Sequence, residues 1–167
     1  MARVLHWLVA AGVVWQLATG WVSDALTDRD ASDQTLRLHV QAGVLLAALV
    51  ALRVLWRLVT RSPGHGPDPE AWRRRAASIV HAALYALLLI LPISGVVVWD
   101  YFDQSLAILG APLPDLFTPT EDERLRAGAW YVHVWAGQLL AALLCLHIGA
   151  ALWHALVLGD GLLKRMI

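Results

Sequence analysis

Four long runs of apolar residues that contain no charged side chain divide the sequence. They cover residues 4–23, 38–52, 76–99 and 127–159. A bilayer core of about 30 Å is crossed by about 20 helical residues, so each run predicts one transmembrane helix. The second run is the shortest, but its apolar pattern continues beyond Arg53 and Arg57 to Val59, and a long basic side chain can reach the membrane surface. The pattern therefore predicts an all-α, integral membrane four-helix bundle. It forms a single domain over residues 1–167, with helices at 3–22, 37–59, 76–99 and 128–158.

The composition and the distribution of charge support a membrane protein and predict its orientation. Hydrophobic residues make up 59% of the chain and charged residues 16%, against about 25% charged in an ordinary soluble domain. The formal net charge is zero, which gives no indication of a nucleic-acid partner. The side with both termini, counting Arg53 and Arg57, holds nine basic and three acidic residues, and the opposite side holds four basic and ten acidic residues. Because basic residues mark cytoplasmic segments, we expect both termini in the cytoplasm.

Features at the ends of the predicted helices agree with this arrangement. Trp21, Trp99, Trp130 and Trp153 fall where interfacial anchors are expected. The longest link runs from Asp100 to Arg126 and carries six of the acidic residues, so we expect Asp100 in an outer loop that follows the third helix.

Histidines within the predicted spans are the feature that needs a chemical explanation. Five lie inside the helices and one lies near the end of the fourth; they are His6, His39, His81, His133, His147 and His154. Ionisable groups are costly in a bilayer and usually mark a function. The single cysteine, Cys145, excludes an internal disulfide, an iron–sulfur cluster bound by this chain, and the Cys-x-x-Cys-His attachment of c-type haem.

An internal repeat pairs two of these histidines. Residues 39–49 read HVQAGVLLAAL and residues 133–143 read HVWAGQLLAAL, on the second and fourth helices. Both helices run inwards, so His39 and His133 should lie at similar depth near the outer face and could bind one haem iron axially. Gly43 and Gly137 follow four residues later, on the same helix face, where they would leave room for a flat macrocycle. Ordinary helix packing would explain the glycines, but it would leave the matched histidines unexplained.

A second site is predicted deeper in the membrane. His147 follows His133 by fourteen residues, which places it on nearly the same helix face about 21 Å further along the axis. This spacing suits two stacked haems, one near each surface. The spacing does not decide whether His6, His81 or His154 is the partner of His147. Arg53, fourteen residues after His39, should lie at the inner level, where it pairs with a haem propionate or extends to lipid phosphate.

These residues together resemble the bacterial cytochrome b561 family over nearly the whole chain. The resemblance rests on His6-Trp7, His39 with Gly43 and Arg53, His81 with Leu91-Pro92 and Gly95, and His133 with Gly137, His147, His154 and the closing Leu162-Leu163-x-Arg165-Met166. It implies two haem b groups of an inner-membrane protein, the inner one bound by His6 and His147 and the outer one by His39 and His133. It also implies a ubiquinone site at the cytoplasmic end near His81 and His154, which it does not assign as haem ligands.

The resemblance further implies a function and leaves an alternative open. It implies electron transfer from the periplasmic side to quinone, as in a superoxide oxidase (superoxide:ubiquinone oxidoreductase). Arg37, Arg124 and Arg126 would attract the superoxide anion, although the outer loops are otherwise acidic. The alternative is a membrane anchor and electron relay for a partner dehydrogenase or another redox protein. A histidine-bearing metal or proton transporter is less well supported, because no acidic residue falls within a predicted span.

Overall fold

The computed structural model describes residues 2–60, 71–102, 104, 106–108, 111–159 and 161. The described elements are helices α1 (Ala2–Ala25), α2 (Arg29–Val59), α3 (Ala71–Tyr101) and α4 (Glu123–Trp153), strands β1 (Leu106–Ile108) and β2 (Ala111–Leu113), and one π-helical turn (His154–Leu158). The predicted all-α class is confirmed, since four helices are long and apolar enough to cross a membrane. Basic residues of the predicted cytoplasmic side, among them Arg61, Lys164 and Arg165, lie outside the described residues.

Helices α2 and α4 begin earlier than the apolar runs predict, because acidic loop residues cap them. Asp28 accepts a hydrogen bond from the backbone N–H of Ala31 at 2.8 Å, and Asp122 accepts one from that of Arg124, also at 2.8 Å. Such caps satisfy N–H groups at a helix start, which have no partner within the helix. The two helices therefore extend beyond the predicted membrane core into the loops.

The bundle consists of two helical hairpins that pack together around a small core. Backbone contact is extensive between α1 and α2 and between α3 and α4, and sparser between α2 and α3. A cluster of apolar side chains from all four helices is buried at the centre: Val9, Val13, Val50, Leu87 and Leu140. Many large apolar side chains remain exposed along all four helices. In a chain that spans a bilayer, these side chains face lipid.

The connection between α3 and α4 is more ordered than the loop predicted there. Strands β1 and β2 form an antiparallel hairpin in which Leu106 pairs with Leu113. Asp100 is only 4% exposed and belongs to the last turn of α3, so its predicted place in the loop after this helix is wrong. Its Oδ2 accepts hydrogen bonds from the backbone N–H groups of Leu116 (2.8 Å) and Phe117 (2.9 Å). A carboxylate that is buried with two donors can tie the loop to the helix end.

Candidate functional site

The structure brings His39 of α2 and His133 of α4 together near the end of the bundle that carries the α1–α2 and α3–α4 connections. Their ring centroids are 6.1 Å apart and the ring planes are inclined by 86°. A metal–imidazole nitrogen bond is about 2 Å long, so two imidazoles on opposite sides of one metal ion have centroids about 6 Å apart. The separation of this outer pair therefore fits two axial ligands of a single iron.

Hydrogen bonds give both rings of the outer pair the same tautomer. Nδ1 of His39 lies 3.1 Å from the carbonyl oxygen of Gln16 and 3.2 Å from Oγ1 of Thr19. A carbonyl can only accept, so Nδ1 carries the proton. Nδ1 of His133 lies 3.0 Å from Oγ of Ser94, whose own hydroxyl donates to the carbonyl of Leu91 at 3.0 Å. Both rings thus keep the Nε2 lone pair for a metal, in the arrangement typical of metal-bound histidine.

Two glycines let the neighbouring helices approach these rings closely. A Cβ atom on Gly20 of α1 would lie 3.3 Å from Cε1 of His39, and one on Gly95 of α3 would lie 3.1 Å from Cε1 of His133. Both distances are shorter than an ordinary carbon–carbon contact of about 3.5–4.0 Å. Each outer histidine is therefore enclosed by the other helix of its own hairpin.

The supporting residues of the outer pair form a second repeat that the sequence analysis missed. Thr19-Gly20 on α1 and Ser94-Gly95 on α3 each supply a hydroxyl followed by a glycine, and each serves the histidine on the next helix. The signal was the recurrence of a hydroxyl residue and a glycine in the helix that precedes each copy of the histidine repeat. In addition, the side-chain amide of Gln16 donates to the carbonyl oxygen of His39 at 3.0 Å.

The inner pair is formed by His6 of α1 and His147 of α4, and a third imidazole lies next to it. The centroids of His6 and His147 are 6.4 Å apart, with the planes inclined by 74°. His81 of α3 lies closer to His147, at 5.2 Å between centroids. The first distance matches the separation of about 6 Å expected for two ligands of one metal, whereas the second is shorter. His6 is thus the better matched partner of His147, and His81 packs directly beside it.

The donor sets indicate what kind of metal group would fit. Among the described residues, no three His, Cys, Asp or Glu side chains are grouped so that they could hold a metal ion. A bare metal ion usually takes four or more ligands, so two histidines are an incomplete set by themselves. Two axial imidazoles do complete the coordination of a haem iron, whose other ligands come from the macrocycle. The residues present therefore fit haem better than a free ion.

The two glycines that follow the repeat histidines have different surroundings. A Cβ on Gly137 would meet no neighbour within 4 Å, so this position leaves open space beside α4. A Cβ on Gly43 would lie 3.6 Å from Nε2 of Gln16, so this glycine accommodates the Gln16 side chain. Gly137 is thus the one of the two beside which the structure leaves room.

Arg53 lies at the level of the inner pair, where it contacts uncharged groups. Its Nε donates to the hydroxyl of Tyr85 at 3.2 Å and its Nη1 to the carbonyl of Ala2 at 3.3 Å. The guanidinium of Arg57 lies 5.5 Å from the centre of the same Tyr85 ring. In the described part of the chain, both hydrogen-bond acceptors of Arg53 are neutral, and further guanidinium donors remain for a carboxylate.

The predicted outer arginines are in different environments. Arg37 and Arg124 are exposed. Arg126 forms an ion pair with Glu121, with Nη2 3.2 Å from Oε1, and its Nε donates to the carbonyl oxygen of Tyr101 at 3.1 Å. Arg124 also borders an apolar cleft of about 470 Å³ between α3 and α4, and Ser94 lies in the wall of this cleft. Arg37 and Arg124 are therefore accessible on the side of the bundle where the outer pair lies.

His154, the last candidate, is half-buried and opens the π-helical turn that follows α4. His154 lies seven residues beyond His147 on the same helical segment. The side chain of His81 is exposed, although its ring packs beside that of His147. Single π-helical turns occur frequently at functional sites. Both histidines thus lie toward the end of the bundle that holds the inner pair.

Comparison with known proteins identifies the family. The family model of the prokaryotic cytochrome b561 matches residues 1–167. Two Escherichia coli (strain K12) proteins are similar along their length: cytochrome b561 homolog 1 is 28% identical over 98% of this chain and 92% of its own, and cytochrome b561 homolog 2 is 30% identical over 100% and 89%. A Yersinia pestis protein named probable superoxide oxidase CybB is 27% identical over 98% of this chain and 91% of its own.

Proposed function

Because the chain belongs to the prokaryotic cytochrome b561 family, we propose that it binds two haem b groups and carries electrons across the bacterial inner membrane. Family membership makes it a multi-pass membrane b-type cytochrome that transfers electrons. The number of haems and the direction of transfer are part of the proposal. The observation that carries it is the pair of matched histidine couples, 6.1 and 6.4 Å between centroids, whose α4 members lie fourteen residues apart.

In this proposal His39 and His133 hold the outer haem, and His6 and His147 hold the inner one. When bound, each haem supplies a reversible one-electron couple between ferrous and ferric iron. The four histidines would supply the nitrogens that hold each iron, and the chain fixes the orientation of their rings. Thr19 and Ser94 contact Nδ1 of His39 and of His133, so that Nε2 of each ring remains available for a metal. A hydrogen bond made by Nδ1–H also raises the basicity of Nε2 as a ligand.

Arg53 is proposed to pair with a propionate of the inner haem. Its two acceptors, the Tyr85 hydroxyl and the Ala2 carbonyl, orient the guanidinium, and neither of these neutral groups compensates its charge. A cation at this depth is costly without a counter-charge, and a carboxylate accepts well from a guanidinium. Tyr85 thereby acts as a positioning residue for Arg53.

The electron acceptor is proposed to be ubiquinone, bound beside His81 and His154. A quinone takes up two electrons and two protons to become a quinol, so its site needs exchangeable protons as well as an electron donor. An imidazole can donate a hydrogen bond and a proton to a quinone oxygen near neutral pH. His81 packs beside the inner ligand His147, which would bring such a group next to the electron donor.

The electron donor is proposed to be superoxide arriving from the periplasm, with both chain termini in the cytoplasm. Each superoxide gives one electron and leaves as dioxygen, so two superoxide anions reduce one quinone. The relative named as a probable superoxide oxidase and the exposed Arg37 and Arg124 support this donor. Positive side chains beside an accessible haem edge raise the encounter rate of a small anion.

Stopped-flow spectroscopy of the oxidised, purified holoprotein tests this function. On mixing with superoxide, we expect the b-type haem absorbance to change to the reduced form within milliseconds, followed by reoxidation when a ubiquinone analogue is added. Superoxide dismutase in the same mixture should abolish the reduction. Reduction by a partner protein but not by superoxide would instead indicate the electron-relay alternative, and a preparation with one haem per chain would contradict the two-site proposal.

A further inference from the structure

Trp99 differs from the other tryptophans near the helix ends, and its prediction as an interfacial anchor is wrong. Trp21, Trp130 and Trp153 are 51%, 43% and 58% exposed, as anchors at a membrane surface should be. Trp99 is only 6% exposed. Its Nε1–H is buried and has no hydrogen-bond acceptor in the described part of the chain.

A buried indole N–H without an acceptor is costly. Leaving such a donor unsatisfied costs about 1–3 kcal/mol, and buried tryptophans usually have a partner for it. The low exposure of Trp99 excludes bulk water and lipid headgroups as routine acceptors. A group bound inside the bundle is therefore the acceptor that would remove this cost.

The position of Trp99 relates it to the outer pair. Gly95, four residues earlier on α3, faces the ring of His133. Residues four apart share one face of a helix, so Trp99 lies on the His133 side, one turn or about 6 Å nearer the helix end. The next residue, Asp100, ties the loop to this helix end through the N–H groups of Leu116 and Phe117. Trp99 is thus enclosed between the level of the outer pair and the loop.

We propose that Nε1–H of Trp99 donates a hydrogen bond to a propionate of the outer haem. The inference rests on the proposed binding of a haem by His39 and His133. The acceptors at the periphery of a haem b are its two propionates, because the methyl and vinyl groups are apolar and the ring nitrogens are bound to iron. The orphaned donor lies one helical turn from the contact of Gly95 with His133, so a haem held by His133 would bring a propionate within its reach.

The hydrogen bond has a predictable effect on the iron. A donor that stabilises the propionate charge reduces the negative potential at the metal and so favours the reduced, ferrous state. Trp99 is therefore a positioning residue that raises the midpoint potential of the outer haem. Through this effect Trp99 would favour electron entry from the periplasmic side.

The substitution Trp99→Phe tests this inference, since it removes the N–H and retains most of the ring. In the holoprotein we expect the midpoint potential of the outer haem to fall, its propionate bending band in the resonance Raman spectrum to shift, and the inner haem to be unchanged. The matched control is Trp130→Phe, an exposed tryptophan of α4, which should leave both haems unchanged. A retained outer haem with unaltered potential and propionate band would overturn the proposal.

A second variant decides the case in which Trp99→Phe loses the outer haem. Trp99→Gln keeps an N–H donor without the indole ring. Retention of the outer haem by this variant would support the hydrogen bond, whereas loss in both variants would assign Trp99 to ring packing and overturn the inference. Failure of the underlying function is distinguishable, because the unsubstituted protein would then contain no outer haem.

Discussion

Replacing Gly95 by alanine is the sharpest test of the outer site, because it adds one methyl group against one ligand. In the structure the added Cβ lies 3.1 Å from Cε1 and 3.5 Å from Nδ1 of His133. An ordinary contact needs about 3.5–4.0 Å, so the imidazole must move by roughly 0.5 Å or the two helices must separate.

The size of the effect follows from what that movement breaks. Nδ1 of His133 is held by Ser94 at 3.0 Å, and a ring that retreats from α3 lengthens this bond. Loss of such an outer-shell partner typically lowers metal affinity by about 10–100-fold. Overpacking at a close helix contact costs about 1–3 kcal/mol. A tenfold change in affinity corresponds to about 1.4 kcal/mol, so the packing cost and the expected loss of affinity are of the same order. We therefore expect a 10–100-fold weaker outer haem.

Haem content and haem transfer measure this effect directly. The haem per chain is determined from the pyridine haemochrome, and the rate of haem loss is followed by transfer to excess apomyoglobin. We expect Gly95→Ala to lose one haem quickly and to keep the other. The variant His39→Ala, which lacks one outer ligand, identifies the spectrum of the remaining inner haem.

The matched control is Gly149→Ala on α4, where an added Cβ meets no neighbour within 4 Å. Both haems should remain in this variant, which also reports the effect of a glycine-to-alanine change on helix stability. Two haems of unchanged affinity in Gly95→Ala would refute the reasoning. Equal loss of both haems would refute it too, because the contact is local to His133.

Three further predictions concern the inner site, the outer charge and the loop. His6→Ala should remove the inner haem, because the His6 ring lies 6.4 Å from that of His147, a separation that fits two ligands of one iron. His81→Ala should keep the inner haem and slow quinone reduction, because its separation of 5.2 Å from His147 is too short for a shared iron. Haem counts check the first prediction, and haem counts with single-turnover kinetics check the second. Arg124→Gln should lower the rate of haem reduction by superoxide several-fold at low salt and little at high salt, as stopped-flow traces at two ionic strengths would reveal. Asp100→Asn weakens the two hydrogen bonds that hold the α3–α4 connection, so it should lower the free energy of unfolding by about 1–3 kcal/mol. A lower thermal midpoint or faster proteolysis in that loop would measure this loss.

The tryptophans and acidic residues at the helix ends illustrate where the sequence analysis was inaccurate. Trp99 was predicted to be an interfacial anchor and Asp100 a loop residue, because the apolar run ends at Trp99 and an acidic segment follows it. The structure buries both, at 6% and 4% exposure, and the segment after β2 closes on this end of α3, since the backbone N–H groups of Leu116 and Phe117 donate to Asp100. Burial by a loop depends on residues that are distant in sequence, so the local pattern of apolar and polar residues does not predict it.

The sequence by itself determined the number of spans, their class and the spacing of the histidines along each helix. Run length predicts a transmembrane helix because a typical bilayer core is about 30 Å thick, and a rise of about 1.5 Å per residue converts spacing into distance along the helix axis. The repeat therefore sufficed to place His39 and His133 at one level.

Only the tertiary structure decided which side chains support those histidines and which imidazole lies nearest His147. The four helices are apolar on nearly every face, since both lipid and core are apolar, so the pattern does not reveal which face turns inwards. The rotation of each helix is set by packing against its neighbours. Thr19 and Ser94, together with Gly20 and Gly95, became visible as parts of the site only when these rotations were known.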